Sequence, residues 1–173
     1  MCILRSDYMI DQPTRELKLV EYNTIASSFG CLSQKVRNLH HYLADKYAPE
    51  LKFNYNLPIQ ECCKHTAQIA DLYLDSYIDR LVNQFCEAIN LYRKSTKRTE
   101  PVCVLFVIED NERNVIDQKL IESTLYSCCK VQSLRCTFEE IYRYGVLDQE
   151  SGVLKVHNRE IGFVYYRTGY QLD

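Results

Sequence analysis

Residues 102–108 read Val-Cys-Val-Leu-Phe-Val-Ile, an unbroken apolar run that begins directly after Pro101 and stops at Glu109-Asp110. A run of this kind suits a strand buried on both faces of a parallel sheet, where no side points to water. The residues that follow repeat the theme. A polar loop spans residues 109–114, and Ile116, Leu120, Ile121, Leu125 and Cys128 then mark a helix. Residues 131–136 read as a second strand, and residues 137–144 as a short helix ended by Gly145. Leu154-Lys155-Val156 and residues 161–166 read as strands flanking the turn His157-Asn158-Arg159-Glu160. This β-α-β-α-β order predicts a doubly wound, mostly parallel α/β lobe.

Upstream the pattern differs. Tyr8-Met9-Ile10 and Leu17-Lys18-Leu19-Val20 predict two strands joined by the turn at residues 11–16. Leu32, Val36, Leu39 and Leu43 form one stripe of a helix over residues 32–47. Residues 48–58, with Pro49 and Pro58, read as a loop. A long helical pattern follows over residues 66–92, with a break near Asp75-Ser76. The polar stretch at residues 95–101 ends in proline and reads as a boundary. The expected division is therefore residues 1–100 and residues 101–173.

Chemistry concentrates at the ends of these strands. Glu21 and Asn23 lie two apart at the end of the second strand, which puts them on one face. A carboxylate and an amide oxygen side by side suit a hard cation such as Mg²⁺. The turn Ile25-Ala26-Ser27-Ser28-Phe29-Gly30 then leads into a helix, and its exposed N–H groups and hydroxyls can hold an anion. In an open α/β sheet, ligands bind at the carboxyl ends of the strands. Two polar clusters fall there: Glu112, Arg113, Asn114 and Gln118 after the first strand of the lobe, and Arg167, Thr168, Gly169 and Tyr170 after the last. Taken singly, each is also what a solvated loop looks like.

Composition narrows the class. With 46% hydrophobic residues the chain can build a core. A net charge of −2 gives no reason to expect nucleic acid or an anionic membrane as partner. No apolar run approaches the ~20 residues of a membrane helix, and no signal-peptide pattern precedes Arg5. Nine cysteines are present with no C-x-x-C and no finger-like histidine spacing. They read as reduced, buried thiols, with disulfides or redox sensitivity as the alternative and a zinc site as a weak third.

Four segments acquire meaning together: Arg5-Ser6-Asp7-Tyr8-Met9, Glu21-x-Asn23-Thr24-Ile25-x-x-Ser28-Phe29-Gly30, Glu112-Arg113-Asn114-x-x-Asp117-Gln118 and Tyr166-Arg167-x-Gly169-Tyr170. Their order and spacing resemble eukaryotic glutathione synthetase, an ATP-grasp ligase, from Arg5 to the C-terminus and least between residues 47 and 94. The resemblance implies part of an ATP-grasp body followed by an incomplete substrate-binding lobe. It implies Mg²⁺ on Glu21 and Asn23, with Glu21 also near the phosphates of ATP. It implies peptide-substrate contacts by Arg5, by the turn of Ile25, Ala26, Ser27 and Ser28, by Glu112, Arg113, Asn114 and Gln118, and by Arg167, Thr168, Gly169 and Tyr170.

The implied reaction joins γ-glutamylcysteine to glycine with hydrolysis of ATP, through an acyl phosphate, giving glutathione. A cytoplasmic location and a homodimer at full length go with it. Ala26, Cys31 and Cys136 depart from the family pattern, which often has serine, glycine and arginine there. The five glycines form no Gly-rich phosphate loop, so a middle segment that is inactive alone is expected. The alternative is a non-catalytic relative that holds glutathione-like peptides.

Overall fold

The computed structural model describes residues 3–55 and 77–169. Two strands, β1 (Arg5–Ile10) and β2 (Leu17–Asn23), pair antiparallel. Asp7 faces Glu21 and Tyr8 faces Leu19, so Val20 is the extra residue of a bulge that re-aims the strand end carrying Glu21 and Asn23. Helix α1 (Gly30–Tyr55) follows, then α2 (Tyr77–Thr96). The second sheet comprises β3 (Val102–Val107), β4 (Gln132–Cys136), β5 (Gly145–Leu147), β6 (Leu154–Val156) and β7 (Arg159–Tyr166). Between its strands lie α3 (Val115–Cys129) and α4 (Phe138–Tyr144).

Strand order is β4-β3-β7-β6-β5. β3 runs parallel to β4 and β7, and all six of its residues are buried, as the apolar run requires. The sheet is nevertheless mixed, because β6 and β5 join antiparallel. The reason lies in the turn between β6 and β7. It contains only His157 and Asn158 between paired residues, with φ of 48° and 59°. Such a left-handed pair makes a tight hairpin, which only antiparallel strands can use.

One face of the sheet carries Val104, Phe106 and Tyr165 against Phe85 and Ile89 of α2 and Ile121 and Leu125 of α3. Phe85 and Phe106 meet the Tyr165 ring edge-on at 5.0 and 5.3 Å. The other face, with Leu105, Val107 and Val156, packs on Ile141 of α4. A capping box starts α4: Thr137 Oγ1 accepts from the Glu140 amide and Glu140 accepts from the Thr137 amide. Gly145 ends it, where a Cβ would lie 2.3 Å from the Ile141 carbonyl oxygen.

Two expectations change. The loop over residues 48–58 is helical as far as Tyr55, since α1 continues through Pro49. Proline costs the helix one hydrogen bond, and the strong helix formers beside it, Lys46 and Glu50-Leu51-Lys52, favour continuation. Gly145 ends α4 as the sequence predicts and also opens β5, a strand too short to show alternation. Cys86 and Cys129 are joined as a disulfide instead of standing as reduced thiols. Cys31, Cys103 and Cys136 are free and buried. The part of the second helical pattern before Tyr77 that falls in residues 66–76 lies outside the described residues, as does Tyr170.

Candidate functional site

The site begins at the carboxyl ends of β3 and β7. Val107 and Tyr166 are register partners, and the Arg167 amide donates to the Val107 carbonyl at 2.8 Å. Asn114 and Arg167 therefore leave the sheet at the same edge. Asn114 stands at the N-cap of α3 but its side chain caps nothing. Its backbone amide donates to Glu112 Oε1 at 2.7 Å, and Gln118 Nε2 donates to Glu112 Oε2 at 2.5 Å. Glu112 so locks the loop to the first turn of α3. Arg113 is exposed.

Asp117, which sequence reasoning assigned no role, is the hub. Its side chain is buried, and it accepts from the backbone amides of Phe29, Cys31 and Leu32 at 3.0–3.2 Å. These are donors at the N-terminus of α1, where a carboxylate is favoured by the helix dipole. Arg167 Nη1 donates to the same carboxylate at 3.1 Å and to the Tyr165 hydroxyl at 3.3 Å. Burial opposes the Arg167 charge, but Tyr165 and Asp117 outweigh it and raise its pKa above the ordinary arginine value. In the sequence Asp117 is a carboxylate in the first turn of a helix and a member of the segment from Glu112 to Gln118 that resembles glutathione synthetase, and neither signal assigns it a role.

The turn before α1 lies on this edge. Tyr165 Oη approaches the Ser27 carbonyl at 3.5 Å, and Ser27 Oγ donates to the Asn23 carbonyl at 2.9 Å. Ala26 and Phe29 take φ of 51° and 70°, which folds the turn back sharply. Ile25 is exposed and Ser28 half-buried. Gly169 has φ +94°, and a Cβ there would sit 3.9 Å from Ile25 Cδ1. The turn and the Arg167–Gly169 segment are thus neighbours, while Thr168 is buried with its hydroxyl on Glu109 at 3.0 Å.

Glu21 and Asn23 share one face, as their spacing predicts, with Asn23 Nδ2 3.2 Å from Glu21 Oε1 and 3.3 Å from Asp7 Oδ2. Arg5 is engaged bidentately by Asp7 at 2.8 and 2.9 Å and lies 5.8 Å from the centre of the Phe29 ring. The Arg5 guanidinium holds the Asp7 carboxyl below the usual carboxylate range. Among the described residues no three His, Cys, Asp or Glu side chains form a metal cluster. Glu21 and Asn23 meet through the amide nitrogen of Asn23, and Mg²⁺ takes one or two protein ligands and completes its shell with phosphates and water.

Three buried side-chain atoms of the described residues lack a partner: Asn114 Nδ2, Gln118 Oε1 and Arg167 Nε. All three belong to residues around one sheet edge, and each costs free energy until something bonds to it. A separate cleft of about 460 Å³ is lined by Ile108, Glu109 and Asp110 after β3, Arg135 and Thr137 at the end of β4, and Glu139, Glu140, Arg143 and Tyr144 of α4. Sequence reasoning did not single it out.

A family model described as eukaryotic glutathione synthase, ATP binding domain, matches residues 1–164. The chain belongs to the eukaryotic glutathione synthase family. It is 34% identical to the glutathione synthetase large chain of Schizosaccharomyces pombe over 99% of its own length and 34% of that protein's. It is also 34% identical to glutathione synthetase of Dictyostelium discoideum, over 97% and 33%. A glutathione synthetase-like effector from Globodera pallida, solved in apo form, shares the fold with a TM-score of 0.69 at 16% identity, covering 98% of this chain and 37% of that one. The chain therefore spans about a third of the length of these curated glutathione synthetases. No helix of the described residues is long and apolar enough to cross a membrane.

Proposed function

We propose that this chain supplies the peptide-substrate edge and one magnesium corner of a glutathione synthetase, which ligates γ-glutamylcysteine and glycine at the expense of ATP. The observation that carries the reading is the set of buried, unpartnered polar atoms at Asn114, Gln118 and Arg167. A γ-glutamyl peptide brings carboxylates, an amine and amides, the complement of two donors and an acceptor. Arg167 is held from behind by Asp117 and Tyr165, with Nε free to take a carboxylate oxygen. The turn at Ile25, Ala26, Ser27 and Ser28 closes over the peptide, and Gly169 leaves room for its backbone.

Glu21 and Asn23 would hold Mg²⁺, which supplies charge neutralisation on the transferring phosphoryl group. Arg5 acts through Asp7, orienting that carboxylate beside the metal pair. Residues 1–100 are read as part of the ATP-grasp body and residues 101–173 as the substrate lobe, with α2 packing on the lobe's sheet. The full enzyme would be a cytoplasmic homodimer. Titration calorimetry of the 173-residue chain with γ-glutamylcysteine and glutathione tests the binding part. Binding without ATP-dependent ligation is the result expected of this chain alone. Metal-dependent turnover would overturn its expected inactivity. Absence of binding at millimolar peptide would remove both the substrate-edge reading and its alternative, a non-catalytic peptide holder.

A further inference from the structure

The cysteines of the described residues fall into two groups. Cys31, Cys103 and Cys136 are sealed in the core, 1–5% exposed. Burial pushes each of these thiols up, which keeps it protonated and inert. The second group sits at the seam of α2 and α3. Cys86 and Cys129 are bonded across it and half-buried at the rim of the core, and Cys128 is free and exposed beside them.

We propose that the Cys86–Cys129 bond is a reversible thiol–disulfide exchange site for low-molecular-mass thiols. The argument is positional. Both cysteines stand on helices whose placement is fixed by other residues: Phe85 and Ile89 on α2, Ile121 and Leu125 on α3. Their Cα atoms are 6.4 Å apart, within the range a disulfide spans without backbone movement. The core therefore holds the pair at bonding distance whether or not the bond exists. This preorganisation favours closure, and the half-buried position leaves the sulfurs within reach of a small attacking thiolate.

In the reductive direction a thiolate RS⁻ attacks Cys129 Sγ, and Cys86 leaves as a thiolate that takes up a proton. A second RS⁻ attacks the R-group sulfur of the mixed disulfide. RSSR departs and Cys129 is protonated. Two RSH become one RSSR, and two electrons enter the protein. Oxidation by RSSR is the reverse. The bond tethers the C-terminal end of α3, while Asp117 anchors the N-terminal end to α1 and Arg167. Opening it removes this link while Ile121 and Leu125 keep α3 packed in the core.

The test uses the native 173-residue chain in buffers of glutathione and glutathione disulfide at varied ratio, without denaturant. Acid quenching, differential alkylation and peptide mass spectrometry then read each cysteine. The Cys86–Cys129 cross-linked peptide should form at high disulfide and disappear at high thiol, passing through a midpoint reached from either side. Cys128 should be labelled under reducing conditions, while Cys31, Cys103 and Cys136 stay unlabelled until unfolding. Cys128→Ser should keep the cross-link, and the oxidised protein should melt several degrees above the reduced one. A cross-link that never forms, that yields only in denaturant, or that joins Cys86 to Cys128 instead would overturn the proposal. None of these outcomes bears on peptide binding at the sheet edge.

Discussion

Arg167 Nη1 lies 3.1 Å from Asp117 Oδ2, and the two side chains are only 2% and 1% exposed. Fifty residues separate them in sequence, yet this contact joins the end of β7 to the start of α3. Through the amides of Phe29, Cys31 and Leu32, it also joins both to the start of α1. An ion pair so buried is seldom a net source of stability, because desolvation offsets the attraction. Its effect is to fix where Arg167 points.

Asp117→Ala removes the partner of a buried cation and the acceptor for three backbone amides. Breaking a buried pair from one side costs about 3–5 kcal/mol. The expected result is a large drop in urea midpoint. Asp117→Asn keeps one acceptor oxygen and should lose roughly half as much. Equal, small losses for both variants would mean that water replaces the carboxylate and that the hub is not structural.

Arg167→Ala is a poor probe of peptide binding, because it also strands the Asp117 charge. Arg167→Lys is cleaner. The ammonium can still pair with Asp117, but the planar fork and its free Nε are lost. Affinity for γ-glutamylcysteine should fall about tenfold or more, since ~1.4 kcal/mol is tenfold and a hydrogen bond to a charged group is worth about 1.5–3 kcal/mol. Melting temperature should change by much less. Unchanged affinity by calorimetry would take Arg167 out of the peptide site.

A second buried carboxylate gives an independent check of the fold. Glu160, at the start of β7, accepts from the Tyr92 hydroxyl and from Arg98 Nη1, both at 2.9 Å. The Glu160 side chain is 5% exposed and that of Arg98 31%. Removing Arg98 leaves a charge in the core, whereas removing the Glu160 charge leaves Arg98 free to reach water. Arg98→Ala should therefore destabilise more than Glu160→Gln, by about 1 kcal/mol. Chemical denaturation of both variants tests the order, and the reverse order would contradict this account of the seam between α2 and β7.

The elements with one dominant signal were legible in the sequence. Residues 102–108 announced a central buried strand because seven consecutive apolar side chains bounded by Pro101 and Glu109 leave no face for water. Glu21 and Asn23 announced a shared face through the period of a strand. The turn between β6 and β7 was legible, but its two-residue tightness rests on the backbone angles of His157 and Asn158, residues that tolerate positive φ but do not demand it. Asp117 stood in a quoted motif, but its role was not legible, for a different reason. Its partners are backbone amides 85–88 residues upstream and an arginine 50 residues downstream, and no local pattern encodes contacts of that range. The Cys86–Cys129 bond is of the same kind, since pairing among nine cysteines is set by which helices dock.

Cys31 makes the packing of this hub readable by pH. Its thiol is pushed up to about 12, by burial first and by the Asp117 charge second, with Arg167 pulling the other way. In the unfolded chain the thiol ionises near its ordinary value of 9.0. The folded value is the higher one, so the folded state holds the proton more tightly. Its contribution to stability is fully present below about pH 9 and is lost as pH rises from there towards 12. Stability should fall by up to ~1.4 kcal/mol per pH unit from this one group once the unfolded thiol is ionised. Cys103 and Cys136 are raised as well and act with the same sign. Cys31→Ala keeps the backbone amide that donates to Asp117 and removes the titrating group. Urea unfolding between pH 8 and pH 10 should therefore give a shallower decline for Cys31→Ala than for the wild type. Parallel declines would mean that Cys31 ionises as freely in the folded protein as in the unfolded chain, and that the Asp117–Arg167 hub is open to solvent.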